Sequence, residues 1–217
     1  MVDEFCVSIG TALMLPNAQS TGAPQVIVQA TRRHSIEGRE VRVYDGLLQA
    51  NDLHGLTAAL QNGAFTRTEF ARPDTRAFRH WVLNISIDAA AQLPVYQPTL
   101  AAAAEFAGET VYRVYRCYCN YAAYGDMLFT HTDCPPGARE LTALWFIAPE
   151  WNADWGGETL FFDSSMDAQV AVSPRPGRLV LFDGSLPHVG RPPNRICHAP
   201  RYTLAYKLQP LKRDSAN

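Results

Sequence analysis

The second half of the chain is a succession of short apolar, β-branched and aromatic stretches separated by turn-forming residues. Clusters such as Cys134-Pro135-Pro136-Gly137 and Ser173-Pro174-Arg175-Pro176-Gly177 interrupt these stretches. This pattern is typical of all-β sandwiches and jelly rolls. The predicted strands are Val111–Tyr121, Met127–His131, Leu141–Ile147, Glu158–Phe162, Ala168–Val172, Arg178–Phe182 and Tyr202–Leu208.

The first 110 residues have a different character. Short apolar stretches at residues 26–28 and 41–44 predict strands, and leucines at roughly helical spacing predict a helix over Leu47–Gln61. The alanine-rich stretch Thr99–Phe106, followed by Gly108, predicts a second helix. We therefore predict one domain over residues 1–217, mainly β, with flanking N-terminal helices in residues 1–110 and a jelly-roll core in residues 111–210.

Composition limits the class of partner. The 217 residues are 47% hydrophobic and 18% charged, with a formal net charge of −2, so we expect a folded protein without a basic surface for nucleic acid. The sequence has no apolar run of about 18 residues and no signal-like start, so no membrane association is expected. Five cysteines without a regular framework favour reduced thiols and a cytoplasmic protein. The sequence gives no indication of the oligomeric state.

The strongest chemical signal is His131-Thr132-Asp133 together with a distant His188. Residues two apart on a strand share a face, so His131 and Asp133 can present an imidazole and a carboxylate to one point. A second imidazole from His188 completes the two-histidine, one-carboxylate set of non-haem Fe(II) oxygenases. The same set also suits zinc, and each residue taken alone is equally compatible with a polar strand end or a hydrogen-bonded core histidine.

A second signal lies on the last predicted strand. Arg201 opens it, and Thr203 shares its face, so a guanidinium and a hydroxyl are placed to bind a carboxylate at two points. Tyr121 carries a phenol that can donate to the same carboxylate, although core packing is the ordinary role of a tyrosine. Arg191 and Arg195 are rival carboxylate anchors, but neither opens an apolar strand.

In this order the motifs resemble the prolyl-hydroxylase branch of the 2-oxoglutarate/Fe(II)-dependent dioxygenases. The resemblance runs from Tyr112 to Leu208 and rests on Tyr121 through Gly125-Asp126, His131-Thr132-Asp133, Leu144-Trp145-Phe146-Ile147, Trp151 through Trp155-Gly156-Gly157-Glu158-Thr159-Leu160, Pro176-Gly177-Arg178 through Phe182, Pro187-His188 and Arg201-Tyr202-Thr203. It implies a double-stranded β-helix (jelly-roll, cupin-like) core.

The resemblance also implies the site residues. Fe(II) would be bound by His131, Asp133 and His188, and these three are the expected catalytic residues. The cosubstrate 2-oxoglutarate would be anchored by Arg201, with Tyr121 and Thr203 assisting. Phe146 stands where some relatives have a tyrosine that contacts 2-oxoglutarate, so we expect that hydrogen bond to be absent.

The implied reaction couples oxidative decarboxylation of 2-oxoglutarate to succinate, with O2, to hydroxylation of an unactivated C–H bond. We predict a small-molecule substrate, an amino acid or a natural-product intermediate, because the compact chain shows no added recognition domain. The alternatives are a peptidyl-prolyl hydroxylase that acts on a protein, and a catalytically silent jelly-roll binding module. Residues 1–110 are expected to supply the substrate lid, with candidate contacts at Arg72, Arg76, Arg79, His80 and Trp81.

Overall fold

The computed structural model describes residues 28–211, which form two antiparallel β-sheets with helices on the outer side of the larger sheet. The strands are β1 (Arg32–Ile36), β2 (Arg39–Tyr44), β3 (Thr66–Glu69), β4 (His80–Ile85), β5 (Tyr112–Ala122), β6 (Leu141–Phe146), β7 (Thr159–Phe162), β8 (Ala168–Val172), β9 (Leu179–Asp183), β10 (His188–Gly190) and β11 (Arg201–Pro210). The helices are α1 (Ala50–Gln61), α2 (Ile87–Ala91) and α3 (Tyr96–Ala107), with 3-10 turns at Pro73–Thr75 and Ala153–Trp155.

Strand β11 lies near the middle of the larger sheet. That sheet has the order β1-β2-β9-β6-β11-β5-β4-β3, and the smaller sheet has the order β10-β7-β8. Side chains alternate along β11, so its odd-numbered residues from Arg201 to Lys207 share one face, and the residues from Tyr202 to Leu208 share the other. Residues 201–208 are all buried, which identifies β11 as a strand covered on both faces.

Two apolar cores hold the layers together. The larger core lies between the eight-stranded sheet and the helices, where Trp145 is fully buried and its Nε1 donates to Thr99 Oγ1 of α3 at 2.8 Å. The smaller core lies between the two sheets, where the rings of Phe161 and Phe182 meet with centroids 4.9 Å apart. This arrangement confirms the predicted mainly β fold with flanking N-terminal helices.

The predicted strand Met127–His131 is wrong. Residues 123–130 form a turn and a loop, and only His131 makes a β-bridge, with His188: His131 N donates to His188 O at 3.0 Å and His188 N donates to His131 O at 2.9 Å. The Thr130 carbonyl accepts a hydrogen bond from the Arg72 guanidinium and not from a neighbouring strand. Strand alternation therefore does not orient His131.

The other predicted strands and both predicted helices are present, with small shifts at their ends. The stretch at 41–44 lies in β2, whereas residues 26 and 27 lie outside the described part of the chain and Val28 is not in a strand. Sequence reasoning missed β1, β3, β4, β10 and the short helix α2, which begins where the Ser86 side chain accepts a hydrogen bond from Ala89 N at 3.2 Å.

Four of the five cysteines lie in the described part of the chain. Cys117, Cys119 and Cys134 are buried and free, and Cys197 is half-buried and free. Burial raises the pKa of the Cys117 thiol to about 12, so this side chain packs as a small apolar group. Between residues 28 and 211, no helix combines the length and the apolar character that crossing a membrane requires. The cytoplasmic location and the division at residue 110 stay predictions.

Candidate metal centre and cosubstrate cavity

Backbone contacts bring the three predicted metal ligands together. The bridge between His131 and His188 joins the loop before β6 to the start of β10, and Asp133 N donates to Gly184 O at 2.7 Å. A Cβ at Gly184 would lie 3.0 Å from the Cys134 sulfur and 3.5 Å from the Asp133 Cβ, so glycine permits this close approach. The triad is thus placed by the loop before β6, by the turn at Gly184 and by the start of β10.

The donor atoms of the triad converge. Ligand atoms of His131, Asp133 and His188 all lie within 4.8 Å of one another. His131 Nε2 is 3.5 Å from Asp133 Oδ1, and His188 Nε2 is 3.6 Å from Asp133 Oδ2. The other ring nitrogens face backbone carbonyls: His131 Nδ1 lies 3.0 Å from Phe129 O and His188 Nδ1 lies 2.9 Å from Leu186 O.

These contacts fit a divalent metal. A ligating histidine ordinarily donates its second ring nitrogen to a carbonyl or carboxylate, which fixes the ring and directs the free nitrogen at the metal. Burial lowers the pKa of His188 to about 4, so its imidazole is neutral, as a metal ligand must be. Two imidazole nitrogens and one carboxylate oxygen on one side of a point leave the other side open, as Fe(II) oxygenase chemistry requires.

Asp133 has two further partners that sequence reasoning missed. Thr142 Oγ1 donates to Asp133 Oδ2 at 2.6 Å, and the Lys207 ammonium forms an ion pair with the same oxygen. Burial alone would raise the pKa of the Asp133 carboxyl, but the charge of Lys207 holds it well below its usual value. The carboxylate is therefore ionised and fixed before any metal binds.

Arg201 lies in the same cavity as the triad and is 4% exposed. Its Nε donates to Gly157 O at 2.6 Å and its Nη2 donates to Thr159 Oγ1 at 2.9 Å. Among residues 28–211, no carboxylate lies within ion-pair distance of it, and burial lowers its pKa to about 10. The charge of Glu158 acts in the opposite direction and raises this pKa, but Glu158 forms no ion pair with the guanidinium, which can therefore bind the carboxylate of a ligand.

The residues around Arg201 complete this end of the cavity. Thr203 is 2% exposed, and its Oγ1 lies 3.4 Å from Arg201 Nη1. The ring of Phe146, which has no hydroxyl to donate, lies 5.1 Å below the guanidinium carbon. Asn120 pairs with Thr203 on the neighbouring strand and lines the cavity, and its buried Oδ1 has no hydrogen-bond partner. The structure therefore brings Arg201 and Thr203 together and adds Asn120.

Tyr121 takes a different place from the predicted one. It pairs with Tyr202, and its ring packs against Tyr202, Phe65 and Trp81 with centroids 5.7, 5.8 and 6.4 Å away. Tyr121 touches the edge of the cavity, but this aromatic cluster holds its ring on the sheet face opposite Arg201. The rival anchors Arg191 and Arg195 are exposed and do not line the cavity.

One wall of the cavity comes from the first 110 residues. Ala71 and His80 line it, together with Leu128 and Phe129 of the loop before His131. The rings of Phe78 and Phe129 are 5.2 Å apart, which joins the two segments. Of the other candidate substrate contacts, Arg76 and Arg79 are exposed outside the cavity lining, Arg72 bonds Asp74 and the Thr130 carbonyl, and Trp81 packs with Tyr121.

Glycine at position 190 makes room for Arg201. A Cβ there would lie 3.0 Å from Arg201 Nη1 and 3.1 Å from Nη2, against buried groups that are themselves hydrogen-bonded. Its backbone does not need the left-handed region, so alanine changes the contact and not the local conformation. We expect Gly190→Ala to displace the guanidinium and to weaken 2-oxoglutarate binding about tenfold, measured by cosubstrate titration of succinate formation.

Gly55, in the exposed part of α1, is the matched control for this substitution. A Cβ at Gly55 meets no atom within 4 Å. Gly55→Ala should therefore leave the 2-oxoglutarate dependence unchanged. Equal cosubstrate affinity in Gly190→Ala and wild type would show that Arg201 does not bind the carboxylate from its observed position.

Comparison with known proteins supports the same chemistry. Residues 118–207 match the model of the 2OG-Fe(II) oxygenase superfamily. This region contains the whole triad together with Arg201, Thr203 and Lys207. No curated protein matches the chain by sequence.

Solved structures share the fold. A prolyl hydroxylase from Trichoplax adhaerens, in complex with a hypoxia inducible factor peptide, is 19% identical with a TM-score of 0.58, and the match covers 79% of this chain and 83% of that one. HygX from Streptomyces hygroscopicus, with nickel and 2-oxoglutarate bound, is 14% identical at 0.57, covering 78% and 82%. The alpha ketoglutarate dependent epimerase SnoN from nogalamycin biosynthesis is 16% identical at 0.60, covering 78% and 76%.

Proposed function

We propose that this chain, which carries a 2OG-Fe(II) oxygenase superfamily domain over residues 118–207 and is a 2-oxoglutarate- and Fe(II)-dependent dioxygenase, hydroxylates an unactivated C–H bond of a small molecule. The substrate class we favour is an amino acid or a natural-product intermediate. The observation that carries the proposal is one cavity that holds both the metal-ligand triad and a buried arginine that has no ion-paired carboxylate among residues 28–211.

Each group of residues in the cavity would bind a different component of the reaction. His131, Asp133 and His188 would hold Fe(II), and Arg201 with Thr203 would bind the distal carboxylate of 2-oxoglutarate. When bound, Fe(II), 2-oxoglutarate and O2 supply the oxidant, and 2-oxoglutarate leaves as succinate and CO2. Phe182 packs against the His188 ring with centroids 4.7 Å apart and excludes water from that side of the triad.

The walls of the cavity support a small substrate. Ala71 and His80 line the cavity together with the triad, so residues from outside the matched region 118–207 border it. We propose that this part of residues 1–110 selects the substrate, as a lid would. The unpaired Asn120 oxygen is an acceptor in the cavity and suits a ligand that donates a hydroxyl or an amine.

The alternative is hydroxylation of proline in a peptide. A neighbour of the same fold was solved with a hypoxia inducible factor peptide, which makes a peptide substrate the natural second candidate. A silent binding module and a zinc hydrolase gain no support from the family match. The small-molecule and peptide hypotheses differ in which compounds stimulate decarboxylation.

The test is succinate release. Protein supplied with Fe(II), a reductant, 2-oxoglutarate and air is screened against free amino acids, natural-product scaffolds and proline-containing peptides, with His131→Ala as the inactive control. The proposal expects a free small molecule to stimulate succinate formation and to gain one oxygen atom by mass. Stimulation by proline peptides alone would overturn it in favour of the peptide hydroxylase. No stimulation by either set, with active cosubstrate turnover, would reject both named substrate classes.

A further inference from the structure

Lys207 is a buried cation that the proposed chemistry does not use. The chain contains 19 Lys and Arg residues, and only Lys207 and Lys212 are lysines. Lys207 lies on β11 six residues after Arg201, so both side chains share the cavity face of the strand. It is 6% exposed, at the end of the cavity that holds the triad.

The polar contacts of this ammonium are with Asp133, Thr142 and Tyr118. Lys207 Nζ forms an ion pair with Asp133 Oδ2 and lies 3.0 Å from Thr142 Oγ1, which in turn donates to the same Oδ2 at 2.6 Å. The ring of Tyr118 covers the ammonium at 5.8 Å from its centroid. Among the described residues, Asp133 is the one acid within ion-pair distance of Lys207.

The two donors act on one oxygen of the carboxylate. Each carboxylate oxygen lies beside one ligand nitrogen, Oδ1 at 3.5 Å from His131 Nε2 and Oδ2 at 3.6 Å from His188 Nε2. Thr142 and Lys207 both hold Oδ2, so the carboxylate plane is fixed and Oδ2 is the oxygen already engaged. A carboxylate that is free to rotate can bind a metal through both oxygens and occupy two coordination positions. Holding Oδ2 limits Asp133 to one, which leaves more of the metal open to cosubstrate and O2.

We propose that Lys207, with Thr142, is a positioning residue that holds Asp133 for one-oxygen coordination and stands in for the metal's charge in the metal-free protein. This inference rests on the metal site proposed above. The ammonium keeps the buried carboxylate paired before metal arrives, so the triad is assembled in advance. The same charge repels a divalent cation, so Lys207 weakens metal binding.

The charges in the cavity predict that the cosubstrate affects metal binding. A divalent metal brings two positive charges to a cavity where Asp133 already neutralises Lys207 and where Arg201 forms no ion pair with any of residues 28–211. The dianion 2-oxoglutarate offsets this excess, so it should strengthen metal binding, and Lys207 should enlarge that effect. The metal affinities with and without 2-oxoglutarate therefore report on Lys207 apart from any turnover.

The experiment compares wild type with Lys207→Met, which keeps the length of the side chain and removes its charge. Metal-free protein is titrated with Mn(II), and free Mn(II) is measured by electron paramagnetic resonance, with and without 2-oxoglutarate. We expect Lys207→Met to bind Mn(II) about tenfold more tightly than wild type without 2-oxoglutarate, and to gain less from the cosubstrate. Lys212→Met, at the only other lysine, should match wild type.

Substitutions at Thr142 test independently whether Asp133 binds the metal through one oxygen. Thr142→Val removes the hydroxyl and keeps the shape, whereas Thr142→Ser keeps the hydroxyl. With Co(II) in the site, we expect Thr142→Val to alter the visible ligand-field spectrum toward higher coordination number, and Thr142→Ser to retain the wild-type spectrum. A wild-type spectrum in Thr142→Val would overturn the role of this hydroxyl in limiting Asp133 to one oxygen.

The other possible results of the Mn(II) titration and the folding of Lys207→Met also test the proposal. Unchanged or weaker Mn(II) binding by Lys207→Met would overturn the role of Lys207 while leaving the metal site in place. If wild type binds no Mn(II), or if His131→Ala binds it equally well, the metal site itself fails. Should Lys207→Met fold only when metal is supplied, the proposal is supported, because the metal then replaces the ammonium. A variant that stays unfolded with metal present would contradict it.

Discussion

Arg201→Ala is expected to raise the 2-oxoglutarate concentration needed for half-maximal succinate formation about a hundredfold, while Mn(II) binding in the absence of cosubstrate does not weaken. The reason is that Arg201 is buried with no carboxylate partner among residues 28–211 and is aimed into the cavity by Gly157 and Thr159. Removing one member of a buried charge pair costs about 2–5 kcal/mol, and a hundredfold lies within that range.

Controls separate the charge of Arg201 from its packing. Arg201→Lys keeps the charge but cannot keep both hydrogen bonds, so its affinity for 2-oxoglutarate should lie between those of wild type and Arg201→Ala. Arg191→Ala removes an exposed arginine outside the cavity lining and should leave the 2-oxoglutarate dependence unchanged. If Arg191→Ala had the large effect and Arg201→Ala had none, the anchor would be the wrong arginine.

Asp133→Ala is expected to abolish metal-dependent turnover and also to destabilise the metal-free protein. The first effect follows from the loss of the one anionic ligand of the triad. The second follows because Lys207 is left buried without the carboxylate that neutralises it, which lowers the free energy of unfolding by about 3 kcal/mol. Metal titration and urea unfolding of the metal-free protein measure the two effects separately.

Asp52→Ala is the control for Asp133→Ala, because Asp52 is exposed in the first turn of α1. It should keep both metal binding and stability. The double variant Asp133→Ala with Lys207→Met should regain part of the lost stability, since neither charge then remains buried. No recovery in the double variant would mean that the ion pair does not account for the loss.

The sequence predicted the strands of the jelly roll because their apolar and β-branched residues are buried on the sheets, as in β9 and β11. It also predicted the residues His131, Asp133 and His188, whose donor atoms the structure brings together. Strand alternation does not explain how His131 and Asp133 come together, because His131 lies at a single β-bridge and not in a strand. The loop before it is held by Arg72, a tertiary contact that local sequence does not specify.

Other features depend on which face of a strand a residue occupies. The resemblance suggested Tyr121, but the pairing of β5 with β11 places its neighbour Asn120 beside Thr203, on the face of Arg201. Lys207 could have been found, since it follows Arg201 by an even number of residues on the same strand. Thr142 could not, because its role depends on the pairing of β6 with β11, which places it beside Lys207.

The most direct test of the central claim is an anaerobic titration of the protein with Fe(II) and 2-oxoglutarate, which follows the weak visible charge-transfer absorption of the chelated cosubstrate. We expect this absorption to appear with wild type and to be absent with His131→Ala, because the first has the complete triad and the second does not. Folded wild-type protein that gives no absorption at saturating Fe(II) and 2-oxoglutarate would contradict the assignment of this cavity as the site of an Fe(II) dioxygenase.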